Sequence, residues 1–147
     1  MLKTQFKDRL ERSTKLYLDL VSHVPEAALG SKLVNLPSNT IGQQLWCVVG
    51  ARHSYIKAAK AGAWDGFECP LDWDKTTDTK EVQAALQSTG ESISEFLKRE
   101  DSLSEAQLKF LFDLLEHEAQ HHGQLARYLY GLKLGVPQSW KDRYHFD

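Results

Sequence analysis

Apolar residues recur every three or four positions along most of this chain, and no strand-length run alternates polar with apolar. The first periodic segment spans residues 3 to 24, with Phe6, Leu10, Tyr17, Leu20, Val21 and Val24 on one side and charges between them. Pro25 ends it. A linker with Pro25, Gly30 and Pro37 follows, and its Leu33, Val34 and Leu36 are expected to tuck beneath it. Thr40 and Gln43 stand at capping-box spacing and open a second segment. That segment carries Ile41, Leu45, Val48, Val49, Tyr55 and Ile56 to about residue 60. Residues 62 to 78 are rich in Gly, Asp, Thr and Trp and read as a loop of unusual length. Asp78 and Glu81 open a third helix with Val82, Leu86, Ile93, Phe96 and Leu97. Ser102 and Glu105 open a fourth, which runs to about Tyr130 before Gly131, Gly135 and Pro137 stop it.

Four helices joined by medium, long and short connections predict an all-α fold. The expected form is a four-helix bundle with a long crossover between helices two and three, in one domain covering residues 1–147. Trp140, Tyr144 and Phe146 make the tail too aromatic to hang free, so it is expected to pack on the helices or on a partner.

Composition narrows the function. Lys plus Arg is 18 and Asp plus Glu is 20, a net charge of −2, with no extended basic stripe to neutralise a phosphate backbone. Nucleic acid is therefore not the expected ligand. No apolar run approaches the about 18 residues of a membrane span. The opening residues, Met1 to Arg9, lack the apolar core of a secretory signal. Cys47 and Cys69 are accordingly expected as thiols in the cytoplasm.

Residues 117 to 121 read His-Glu-Ala-Gln-His. Histidines four apart on a helix project to one side, a ready pair of ligands for a divalent transition metal. Phe110, Leu114, His117, His121, Gln124, Leu125 and Tyr128 form one stripe, so both imidazoles face inward. Glu118 and Gln120 fall to its flanks, and His122 is expected on the surface or in simple packing. Two inward imidazoles also admit a plainer reading, hydrogen bonding to neighbouring helices. A metal needs a third ligand, and Cys47, His53, His23 and His145 are all candidates. The string also matches the H-E-x-x-H of zinc peptidases. Those enzymes take a third ligand downstream, and here only Asp142, His145 and Asp147 follow, in a tail without a second helix. No strand edge is present to bind an extended peptide, so a protease is not expected.

The stretch Leu36-Pro-Ser-Asn-Thr-Ile-Gly-Gln-Gln-Leu-Trp-Cys-Val-Val-Gly-Ala-Arg-His-Ser-Tyr55 resembles the second helix of the DinB-like superfamily. The stretch His117-Glu-Ala-Gln-His-His-Gly-Gln124-Leu resembles that superfamily's H-x-x-x-H-x-x-Q pattern. Gly62-Ala-Trp-Asp-Gly-Phe67 and Gly135-Val-Pro137 fit as well, so the resemblance covers nearly the whole chain. It implies a bacterial four-helix bundle associated with damage and stress responses. It further implies a divalent metal held by one histidine from helix two and two from helix four. His117 and His121 match the helix-four pair, while the helix-two position holds Cys47, a departure from the pattern.

A Cys47–His117–His121 site would be softer than three imidazoles and would favour zinc over manganese or iron; zinc or nickel is the expected metal. The resemblance implies metal-dependent hydrolysis, or transfer involving a low-molecular-weight thiol, on a small-molecule substrate. Substrate is expected to enter at the end of the bundle covered by the 62–78 loop. Arg52 is a candidate grip for a substrate carboxylate, or else an ordinary surface ion pair. Glu118 is a candidate general base, and Gln124 a hydrogen-bond partner behind the ligands. Cys69, before Pro70, reads as an incidental loop thiol. The competing expectation is a homodimer built on helix faces and the aromatic tail, with the metal structural or absent.

Overall fold

A computed structural model describes residues 1–147, and the chain is all-helical, with no strand. Four long helices, α1 (Leu2–His23), α2 (Ile41–Ala61), α3 (Thr79–Arg99) and α4 (Glu105–Gly131), are followed by a short α5 (Gln138–Tyr144). No helix is long and apolar enough to cross a membrane.

Local chemistry sets the ends. The Val24 backbone turns extended before Pro25 and stops α1. At α2 the Gln43 amide donates to Thr40 Oγ1 (3.1 Å) and the Thr40 amide to Gln43 Oε1 (3.0 Å), the reciprocal box expected there. Gly62, at φ 75°, closes α2 in the left-handed region. The Asp78 carboxylate accepts from the Lys80 and Glu81 amides at the start of α3. The α4 cap differs from expectation. It is Ser104 with Gln107, not Ser102 with Glu105, and Glu105 is the first helical residue, where its charge still favours the helix N-terminus.

Helix α2 packs on α4 and on α3, and α1 packs on α3. Lys3 Nζ reaches the Glu100 carbonyl at one end of α1, and Glu26 accepts from the Thr79 amide at the other, so α1 and α3 are antiparallel. The long 62–78 segment does not cap an end of the molecule, as the sequence suggested, but runs back along α2. Ser54 Oγ accepts from the Glu68 amide (2.9 Å), Trp46 Nε1 donates to the Leu71 carbonyl (2.9 Å), and the Thr76 carbonyl lies over Gly42. A Cβ at Gly42 would sit 2.0 Å from that carbonyl, and one at Gly50 would sit 2.1 Å from the Phe67 ring. Only glycine permits so close a return path. α2 and α3 therefore start at the same end and run parallel.

Buried apolar residues form two clusters. One gathers Tyr17, Leu20, Leu45, Val48, Leu86, Leu125 and Trp140 among others, and the other Phe6, Leu10, Ile56, Ile93, Phe96, Leu111 and Leu114. Between them every long helix places a buried polar group at mid-height: Ser13 on α1, Arg52 on α2, Thr89 on α3, and Glu118, His121 and His122 on α4. Trp140 seals the first cluster, fully buried, with Nε1 donating to the Leu16 carbonyl (2.7 Å). The tail thus packs on its own chain.

Candidate metal centre

Helices α2 and α4 bring Cys47, His117 and His121 together, with one donor atom from each lying within 4.8 Å of the others. His117 Nε2 is 3.2 Å from His121 Nε2 and 3.5 Å from Cys47 Sγ. Around a tetrahedral zinc, with nitrogen at about 2.0–2.1 Å and sulfur at about 2.3 Å, neighbouring donors stand about 3.3–3.6 Å apart. Two of the three separations are therefore already near an edge of that tetrahedron, and the donor set fits zinc. His53 instead faces Glu68 (3.7 Å), His23 meets the Leu134 carbonyl (3.0 Å), and His145 lies in the tail; none joins the group.

The groups behind the ligands select their tautomers. Gln44 donates its amide to Asn39 Oδ1 (2.7 Å), which turns its carbonyl Oε1 toward His121 Nδ1 (2.5 Å). Nδ1 must then carry the proton, and Nε2 presents a bare lone pair toward His117 and Cys47. Gln44, not Gln124, makes this bond. It follows the Gln43 of the capping box, so the N-terminal box of α2 also sets where its ligand-orienting side chain points. Gln44→Ala should leave the fold intact and weaken metal affinity about 10- to 100-fold, measured by competition with a chromogenic chelator. Unchanged affinity would remove Gln44 from this role.

Burial lowers the His117 pKa, and burial with repulsion from His117 lowers that of His121 to about 4, so both imidazoles are neutral near pH 7. Burial raises the Cys47 thiol, so it becomes a ligand when a cation displaces its proton. Two neutral imidazoles can also share one proton across the 3.2 Å gap. In either case His117 Nδ1 is buried without a partner.

The adjacent face of α4 corrects three expectations. Glu118 is not on a solvated flank but 2% exposed, and Arg52 is not at the surface but fully buried. Arg52 Nε and Nη2 donate to the two Glu118 oxygens at 2.7 and 3.0 Å, and Ser13 also donates to that carboxylate. Burial pushes Glu118 up, yet the charge and hydrogen bonds of Arg52 and the Ser13 bond outweigh it, leaving its pKa lowered; the same pairing raises that of Arg52. Both stay ionised. Glu118 has no oxygen free to act as a general base, and Arg52 is not available to grip a substrate. His122, the third correction, is buried between Ser13 Oγ (2.8 Å) and the Tyr144 hydroxyl (2.5 Å).

Donor directions in this second network are fixed. Ionised Glu118 only accepts, so Ser13 donates to it and His122 Nε2–H donates to Ser13, while the Tyr144 hydroxyl donates to His122 Nδ1. Ser13 is thus no activated nucleophile, because His122 gives it a proton instead of taking one. One clue to this network was present in the sequence. Ser13 sits in the apolar row of α1 between Leu10 and Tyr17, where a polar residue demands a buried partner.

Cys47 and Cys69 are both free thiols, with Cys69 Sγ 3.4 Å from the Trp46 carbonyl. The chain matches no protein-family model and no curated protein.

Proposed function

We propose that this chain is a divalent-metal-binding protein of the DinB-like kind, a four-helix bundle with a long crossover between α2 and α3, whose Cys47, His117 and His121 hold zinc or nickel. The observation that carries the reading is the convergence of one sulfur and two imidazole nitrogens within 4.8 Å, with His121 turned by Gln44 so that its lone pair faces the other two. Three protein ligands leave a fourth position for a small molecule, whereas a structural zinc is usually closed by four. A metal held there would act as a Lewis acid or take up a thiolate sulfur. Half-buried Cys47 and His117 leave that position approachable.

Between hydrolysis and low-molecular-weight-thiol transfer, the engagement of Glu118 favours the second. Hydrolysis draws on a nearby base to manage the proton of water, and Glu118 is committed to Arg52 and Ser13. A thiol is far more acidic than water, so its proton would leave to solvent near neutral pH once a metal held the sulfur, and thiol chemistry asks less of a protein base. The same engagement also supports a reading without catalysis, a cytoplasmic homodimer with a structural metal or none. A role in stress responses belongs with the family reading.

Elemental mass spectrometry of protein purified without a histidine tag tests the proposal, beside Cys47→Ala and His117→Ala. Near-stoichiometric zinc or nickel, lost in both variants, is the expected result. Metal lost only with His117→Ala would remove Cys47 as third ligand. No metal after reconstitution would overturn the metal reading and leave the homodimer.

A further inference from the structure

On the side of α4 away from Cys47, a cavity of about 290 Å³ opens between α1, α4 and α5. Arg9 and Arg12 from α1 and Arg143 from α5 line it, over the Ser13–His122–Tyr144 network. None of the three guanidinium groups has an ion pair or a hydrogen bond within the protein, and what distinguishes them from the other unpaired cations is that all three line one cavity. The single acid in the lining is Glu118, whose charge Arg52 already neutralises. Both ring nitrogens of His122 are engaged, by Ser13 and by the Tyr144 hydroxyl. Three uncompensated positive charges therefore share one concave surface. Burial, and then repulsion from Arg143 and Arg9, lowers the pKa of Arg12.

We propose that this cavity binds a multiply charged oxyanion of the phosphate class, gripped by Arg9, Arg12 and Arg143. Guanidinium groups pair two N–H donors with two oxygens of such an anion, and a tetrahedral dianion offers enough oxygens for three of them. Arg143 is already placed, its guanidinium carbon 4.9 Å from the centre of the Tyr144 ring. The polar floor does not compete for the ligand, because every donor in it points along the chain from Tyr144 through His122 and Ser13 to Glu118. A volume at the low end of small-molecule pockets suits phosphate alone or a phosphate ester with a short tail. The site stands apart from the metal reading, since it shares no ligand with Cys47, His117 or His121.

The test is titration with inorganic phosphate, and separately with glycerol 3-phosphate, at constant ionic strength maintained with sodium chloride, followed by amide chemical shifts and calorimetry. Saturable one-to-one binding is expected, with shifts centred on Ser13, Ala119 and Tyr144. Arg12→Gln/Arg143→Gln should weaken it about tenfold or more, as loss of charge-assisted hydrogen bonds does. Both side chains are exposed, so the variant should keep its helical circular dichroism, and Arg99→Gln should bind like the parent. His117→Ala should also bind normally, which separates this site from the metal centre. Tighter binding of the ester would identify a phosphorylated small molecule as ligand, and equal binding would identify phosphate. Shifts that chloride reproduces, no saturation, or equal binding by the double variant would each overturn the proposal.

Discussion

Metal-free protein should be about 3–4 kcal/mol less stable at pH 5 than at pH 7. His121 and His122 each have a pKa of about 4 in the fold against 6.5 in an unperturbed chain. Between those two values the unfolded chain binds more protons than the folded one, so stability rises with pH there. The contribution is complete above pH 6.5 and is lost as pH falls toward 4. Two such groups give a slope approaching about 2.7 kcal/mol per pH unit, against a typical total of about 5–15 kcal/mol. The structural cause is plain in both rings. Protonating His122 Nδ1 removes the acceptor for the Tyr144 hydroxyl, and protonating His121 Nε2 drives a proton against His117. Glu118 adds to the loss at still lower pH. Its lowered pKa means that its stabilisation is present above 4.5 and fades as pH falls through the folded value. Urea unfolding at the two pH values in the presence of a chelator measures the difference; a change below about 1 kcal/mol would refute the burial of neutral imidazoles that predicts it.

Arg52→Met should destabilise the protein by about 3–5 kcal/mol, because it leaves Glu118 as an unpaired charge with 2% exposure. Arg52 also stacks its guanidinium 5.2 Å from the Tyr17 ring centre, so the variant loses a cation–π contact as well. Arg52→Met/Glu118→Leu should be more stable than Arg52→Met alone, since no charge is then stranded. Arg52 Nη1 is buried without a partner, which makes the native pair itself imperfectly compensated and widens the margin for that recovery. Chemical denaturation of both variants decides it. A single variant within about 1 kcal/mol of the parent would mean that Glu118 takes up a proton in the fold and that the pair is no stable ionic unit.

Much of the helical layout can be read along the chain, because caps and periodicity act over three or four residues. Thr40 with Gln43, Asp78 with Glu81, and the stops at Pro25 and Gly62 need no tertiary information. The α4 start shows how weakly such motifs bind their register. Ser102 and Ser104 both precede a plausible third residue, and the chain uses Ser104. For the candidate site, spacing alone was enough to put His117 and His121 on one face. It did not identify Cys47, because a cysteine inside an apolar helix looks the same whether it faces lipid-like packing or two imidazoles.

The buried arc of α4 is wider than local pattern predicts. A single stripe through residues 110, 114, 117, 121 and 125 leaves Glu118 and His122 outside, and that is sound for a helix covered on one side. Here α2 covers the face of His117 and His121, while α1 and α5 cover that of Glu118 and His122. A charge and an imidazole that local pattern sends to solvent are therefore enclosed. Their enclosure is tolerable because Arg52, Ser13 and Tyr144 arrive from three other segments, up to 109 residues away along the chain. Helix class, the ends of α1 and α2, the start of α3 and the inward histidine pair followed from short-range rules of backbone geometry and hydrogen-bond capping. Which sulfur met that pair, which carboxylate was neutralised and which arginines were left unpaired depended on long-range partners, because burying a polar group has no fixed sign until its partner is in place.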